Sequence, residues 1–188
     1  VSRMLDEGTT QRDTTAIAAA FEQVGASFGA SSYRDMAVAE LRVLSDPAFL
    51  APALDVFRDV IAHPVFPADA FARTQQGSEV GQRQQDQSPA ALASRIFYQE
   101  LYKGHPYAHP PSGSRATLSK LTREDLVQFH QRFYVARNLT IALVGSVDRE
   151  QAEQVAEAVS SALPAGEPAP ALSAAPRLKK ARYLHHEF

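Results

Sequence analysis

The sequence contains no cysteine and no tryptophan. The first absence removes disulfide scaffolds, thiolate nucleophiles and cysteine-ligated zinc from consideration. It leaves the redox compartment open, because a thiol-free chain suits cytoplasm and periplasm equally. A positive charge surplus is missing too: 19 Lys and Arg stand against 21 Asp and Glu, a formal net charge of −2. Nucleic-acid binders normally carry a basic face, so that function class has no electrostatic support. No apolar run approaches the roughly 18 residues of a membrane-spanning helix. Phosphate-binding loops, dinucleotide fingerprints and nucleophile elbows are also absent. Gly25-Ala26-Ser27-Phe28-Gly29 has two glycines but leads into a strand pattern, which makes it a strand entry and not a phosphate cradle.

What is present is an ordinary globular composition, 188 residues of which 45% are hydrophobic and 21% charged. A chain of this size builds its own core and buries roughly 70% of the surface it exposes unfolded. It begins at Val1 and not at Met, so it is expected to be a segment of a longer polypeptide, with any targeting sequence upstream.

Periodicity divides the chain. Ile17, Ala20, Phe21 and Val24 share one helical face over 13–24, and Gly25 supplies the left-handed stop. Residues 26–44 read as a hairpin turning at Arg34-Asp35, with Ala37, Ala39, Leu41 and Val43 alternating inward. Asp46-Pro47 caps a helix whose apolar face carries Leu50, Leu54, Phe57 and Ile61. Residues 68–87 are helical but polar, with glutamine at 75, 76, 82, 84, 85 and 87, a solvated face by default or a partner surface. Ser88-Pro89 opens a helix expected to bury Leu92, Ala93, Ile96, Phe97 and Leu101. A proline-rich irregular loop is expected over 104–118. Thr122 and Asp125 signal the cap of the next helix, with Leu121 and Leu126 as its staple and Phe129 packed on the sheet. The apolar run 139–147 predicts a central strand buried on both faces, Leu143 included. Asp148 and Gln151 open a last helix with Val155, Val159 and Leu163 inward. Hairpin, helices, strand and helix in that order make an α+β fold. The expected organisation is a domain over 1–163, a Pro/Ala-rich linker over 164–179, and the start of a following domain over 180–188.

Residue chemistry offers few sites. His105 and His109 have zinc-ligand spacing, but Pro106, Pro110 and Pro111 forbid a regular helix between them. A hydrogen-bonded loop is the plainer reading. His130 lies beside Leu126, Phe129 and Phe133, as a core-edge histidine does. His185-His186-Glu187 has metal-binding residue types on an expected strand, and Asn138-Leu139-Thr140 is a chance glycosylation sequon at a core strand.

Several stretches together resemble the insulinase, pitrilysin and mitochondrial-processing-peptidase superfamily, peptidase family M16. They are Met4-Leu5-Asp6-Glu7-Gly8-Thr9 with Arg12, the hairpin end Leu41-Arg42-Val43-Leu44, and Pro64-Val65-Phe66. The most specific are Leu101-Tyr102-Lys103-Gly104-His105-Pro106-Tyr107, Leu121-Thr122-Arg123-Glu124-Asp125-Leu126 and Val144-Gly145-Ser146-Val147-Asp148. The resemblance implies a mainly antiparallel sheet with helices on one side, its first strands preceding Val1. In active members a His-x-x-Glu-His helix runs into the segment matching Met4 to Thr9, with two histidines on zinc and the glutamate activating water.

In that register the second histidine's slot is Arg3, the general base's slot is Ser2, and the first histidine precedes Val1. A guanidinium has no lone pair to donate and repels a cation, and an unactivated serine is no general base near neutral pH. The family's third ligand, a glutamate, maps to the helix over 68–87, where Glu79 is the candidate. The implied protein is a non-catalytic family member that binds no zinc of its own. It would help form a peptide-binding chamber with a catalytic subunit or second homologous domain, and Arg3, Gln75, Glu79 and Gln82 would face peptide or partner. Two alternatives are a zinc peptidase using a non-standard site such as His105 and His109, and a structural scaffold that binds no peptide. Bacterial relatives are often exported, so the periplasm is the expected compartment and the cytoplasm the alternative.

Overall fold

Helix α1 (Thr14–Gln23) forms because Asp13 caps it, its carboxylate accepting the Ala16 N–H, and because Ile17 and Phe21 share the buried face. Gly25, at φ +62°, takes the left-handed conformation that releases the chain into strand β1 (Ser27–Ser32). Strand β2 (Ala37–Arg42) returns antiparallel, with Phe28 opposite Leu41 and Ala30 opposite Ala39. The turn between them closes through the Tyr33 N–H to the Met36 carbonyl at 2.8 Å.

The computed structural model describes residues 1–178 and 180–185. The chain divides into two compact units: Val1–Thr74 with Thr122–Ala169, and Gln75–Leu121 with the chain from Pro170 onward. Of the His185-His186-Glu187 motif, only His185 lies within the described residues, and it is exposed.

In the first unit, helices α1, α2 (Pro47–Ala62) and α7 (Arg149–Ser161) cover one face of the hairpin. Leu5, Ile17, Phe21, Val56, Phe57, Val60, Ile61 and Val159 form the core, against which Phe28, Ala30, Ala39 and Leu41 pack. Phe28 stacks on Phe21 with centroids 5.7 Å apart and meets Phe57 edge-on at 6.0 Å. Full burial of such a side chain contributes about 1.5–3 kcal/mol. A smaller cluster joins Met4, Phe66, Ala70 and Leu126. Phe66 is buried with φ +48°, a left-handed backbone for a bulky residue. Arg123, at the start of helix α6 (Arg123–Phe133), holds that turn by donating to the Phe66 and Val65 carbonyls at 2.7 and 2.8 Å.

The second unit contains the part of helix α3 (Ala68–Asp86) from Gln75 on, helix α4 (Pro89–Leu101) and the short helix α5 (Arg115–Leu118). Residues 104–118, expected to be irregular, hold α5 and a 3₁₀ turn at Pro106–Ala108. Ser114 and Thr117 make the capping box that starts α5.

Three expectations are corrected. Residues 139–147 carry no ladder: among the described residues the sheet is β1 with β2 alone. Leu139 and Ile141 do pack on the core, but Leu143 is 41% and Val144 99% exposed. An apolar run is buried on both faces only when strands flank it and layers cover it. Phe129 does not pack on the sheet. It is 47% exposed, because α6 turns Leu126 and His130 inward and leaves Phe129 against Phe133. Helix α4 buries no residue fully, and Phe97 is 57% exposed. A further expectation, the Leu121 staple, keeps Leu126 buried and Leu121 40% exposed.

Candidate functional site

Ser2 and Arg3 lie on a single 3₁₀ turn, Ser2–Met4, which the buried Met4 and Leu5 anchor. They differ sharply. Ser2 is 5% exposed, and its hydroxyl shares a 2.6 Å hydrogen bond with Ser32 of β1. It also bonds the Tyr134 hydroxyl, whose pKa burial pushes up against the opposing effect of that bond. Arg3 is exposed and makes no ion pair among the described residues. A buried, engaged hydroxyl and a free guanidinium are not a zinc donor set.

A polar network behind this turn was not expected from the sequence. Thr9 Oγ1 donates to Asp59 at 2.6 Å, and Arg12 bridges Asp59 and Asp55 at 2.8 and 2.7 Å. Thr9 also accepts the Gln11 and Arg12 N–H groups, which shapes the loop. Asp59 is 5% exposed, and its other oxygen, Oδ1, makes no hydrogen bond and lies 3.4 Å from His63 Nδ1. Burial tends to lower the Arg12 pKa, yet hydrogen bonds to Asp59 and Asp55 and their charges raise it overall. The detectable signal was an aspartate between Val56 and Val60 on an apolar helix face. A cleft of about 460 Å³ opens between residues 7–14 and the start of α3. Arg73 there already pairs with Glu7 and Asp69, at 3.0 and 2.7 Å.

His130, expected at the core edge, is buried. Its Nε2 donates to the Ile61 carbonyl at 2.8 Å, and its ring stacks on Tyr134 at 4.7 Å. Burial lowers its pKa, the Ile61 bond opposes this, and the charge of His63 adds to the lowering.

In the second unit Gln75, Glu79 and Gln82 share a face of α3. The Gln75 amide donates to the Leu118 and Leu121 carbonyls at 2.8 and 3.2 Å. Gln82 is 4% exposed and donates to the Ser112 carbonyl and hydroxyl and to the Gly113 carbonyl. Both amides hold a loop, that of Gln82 buried and that of Gln75 partly exposed. Glu79 is half-buried. His105 is buried in the loop, accepting the Tyr107 N–H at Nδ1 and donating from Nε2 to the Ser173 carbonyl. Among the described residues no three His, Asp or Glu side chains gather as metal ligands would.

No helix of the described residues is long and apolar enough to cross a membrane. Two family models match the sequence: insulinase (peptidase family M16) over residues 1–113, and the peptidase M16 inactive domain over residues 120–187. A crystal structure of a peptidase M16 inactive domain from Pseudomonas fluorescens is similar, with TM-score 0.89 and 42% identity over 93% of this chain and 42% of that one. An uncharacterized zinc protease of Rickettsia felis is 31% identical over 89% of this chain and 40% of its own length. The periplasmic protease PqqL of Escherichia coli shares the fold, with TM-score 0.79 and 20% identity over 94% of this chain and 20% of that one. The chain thus spans about two fifths or less of the relatives it matches. With one family model covering more than half of it, the chain belongs to peptidase family M16, the insulinase family.

Proposed function

We propose that this chain is a non-catalytic peptidase-like domain that helps form a peptide-binding chamber with a catalytic partner domain or subunit. The observation that carries the reading is the pair Ser2 and Arg3. In the register of the family motif they stand where an active member has its general base and a zinc ligand. Ser2 is buried and bonded to Ser32, and Arg3 is an exposed cation without an acidic partner among the described residues. Neither can hold zinc or activate water. The match to a family model described as an inactive domain supports the same reading.

Of the four residues expected to face peptide or partner, Gln75 and Gln82 already spend their amide donors on residues 112–121. Arg3 keeps its donors free, and a guanidinium grips a peptide carboxylate through two charge-assisted bonds. The test is a peptidase assay on this protein, on a family member with an intact His-x-x-Glu-His, and on the two combined, with a chelator control. Hydrolysis that rises only in the combination, and falls with Arg3→Ala, is the expected result. Equal activity of the catalytic member with and without this chain removes the chamber role.

A further inference from the structure

Asp59 has a buried oxygen that the fold leaves unsatisfied. Its side chain is 4% exposed. Oδ2 accepts from Thr9 and Arg12, while Oδ1 is shut off from solvent and makes no hydrogen bond. An ionised oxygen kept from water without a donor is an unfavourable arrangement. One group stands within reach. His63 follows Asp59 by one helical turn, and its Nδ1 lies 3.4 Å from Oδ1. That is longer than the roughly 2.7–3.2 Å of an N–H···O bond. His63 ends α2, however, and its side chain is 50% exposed, which leaves it room to turn. A shift of about half an ångström brings the pair to the length of a charge-assisted bond.

The backbone around His63 already joins the helix end to the loop. The His63 N–H donates to the Asp59 carbonyl at 2.9 Å, and the His63 carbonyl accepts the Thr10 N–H at 3.1 Å. Thr9 and Pro64 pair as an isolated antiparallel bridge, and the Val65 N–H donates to the Gly8 carbonyl at 3.0 Å. The charges favour an imidazolium at this point. Asp55 and Asp59 on α2 face one cation, Arg12 of the loop, so the cluster has one negative charge in excess. A neutral ring brings only a dipole to Oδ1, whereas a protonated one brings a donor and the missing charge. From α6 the facing titratable group is His130, whose Nε2 donates to the Ile61 carbonyl. Burial lowers its pKa, the Ile61 bond opposes this, and the charge of His63 adds to the lowering. A charge on His63 thus discourages a second on His130.

We infer that His63 is an acid-operated lock: when protonated it closes on Asp59 Oδ1 and ties the end of α2 to the loop over residues 9–12. That loop and Val65 line the cleft of about 460 Å³, so the lock stiffens one of its walls. The inference does not depend on the chamber role. Its sign is opposite to that of His130. The imidazolium gains this partner only in the folded chain, so the lock adds stability below about pH 6.5, where free imidazoles charge, and is lost as pH rises.

The test is urea unfolding of the whole chain at about pH 5.5 and about pH 8, for the original sequence, His63→Gln and His63→Lys. The unfolding equilibrium constant of His63→Gln is expected to exceed that of the original about fivefold in acid and to match it within about twofold at the higher pH. His63→Lys, charged at both, should be more stable than His63→Gln at both. His130 is common to all three chains, and the half-exposed position 63 tolerates these changes, which far-UV circular dichroism checks. A cation at a helix C-terminus is also favourable by itself, so the same comparison is repeated with Asp59→Asn, where the acid difference should vanish. An equal cost of His63→Gln at both pH values, a His63→Lys no better than His63→Gln at the higher pH, or an acid difference that survives Asp59→Asn overturns the inference.

Discussion

Replacing Arg12 by methionine tests whether the buried aspartate network holds the first unit together. Arg12 donates to Asp59 at 2.8 Å and to Asp55 at 2.7 Å, and its side chain is 23% exposed while that of Asp59 is 4% exposed. Methionine keeps the length and apolar stem and removes the cation. Asp55, 61% exposed, then returns to water at little loss. Asp59 cannot. It keeps the Thr9 hydroxyl on Oδ2 and has no hydrogen bond on Oδ1. Leaving one member of a buried pair uncompensated costs about 3–5 kcal/mol, and the partial exposure of Arg12 puts the expectation at about 3 kcal/mol. That is a large share of the roughly 5–15 kcal/mol that stabilises a domain. Urea unfolding at pH 7, followed by far-UV circular dichroism, reads it as a fall in midpoint of about 1–3 M for a typical slope. The companion variant is Arg12→Met with Asp59→Asn, which removes the stranded charge and should recover at least about 1 kcal/mol. A shift below about 0.5 kcal/mol for the single variant, or no recovery in the double, refutes the reasoning.

Other outcomes follow from single sites. His130 has a lowered pKa, so the unfolded chain takes up its proton first; stability should fall as pH drops below about 6.5, and His130→Gln should flatten that slope in pH-dependent melts. A Cβ on Gly166, at φ +60°, would lie 2.4 Å from Val135 Cβ, so Gly166→Ala should lose about 2–4 kcal/mol in chemical unfolding, with part regained by Val135→Ala. Elemental analysis after exhaustive dialysis should find far less than one zinc per chain; near-stoichiometric zinc that Glu79→Ala removes would sink the non-catalytic reading. Ser2→Glu should destabilise by about 2–4 kcal/mol while Arg3→His stays within about 0.5 kcal/mol, both read from thermal melts.

Elements with local signals were legible. Asp46, Ser88, Thr122 and Asp148 each cap the helix they were expected to cap, since a cap is chemistry within four residues. The hairpin followed from period-two alternation and a tight turn. What failed was set by distant partners. A strand is a property of a pair, and residues 139–147 show the side-chain pattern without a ladder. The rotation of α6 depended on His130 finding the Ile61 carbonyl, 69 positions away, so an imidazole went inward where Phe129 was expected. The glutamines of α3 were legible as polar, yet the destination of an amide proton is not written in residue type. Gln82 looked like surface and is buried because Ser112 and Gly113 supply its acceptors. The family resemblance was readable from ordered motifs, whereas Asp59 escaped because an acid on an apolar face reads as a flaw in the stripe.

The two positions on which the proposed non-catalytic reading rests are unequal. Arg3 is exposed, so the change there is one of charge with no demand on packing. Ser2 is packed under β1, where its hydroxyl meets those of Ser32 and Tyr134. A glutamate at position 2 would bring a longer side chain and a charge into that space, beside the hydroxyls of Ser32 and Tyr134. Hydroxyls hydrogen-bond a carboxylate but do not neutralise it, so desolvation would push the acid toward its protonated form. A protonated acid does not take a proton from water. The surroundings of position 2 thus suit a small neutral residue, and a glutamate placed there would not serve as a base. The loop over residues 9–12, by contrast, is tied to α2 through Thr9, Arg12 and Asp59, with Asp59 Oδ1 left without a hydrogen bond. That contrast fits the proposed role, in which the domain supplies shape and contact and not a base.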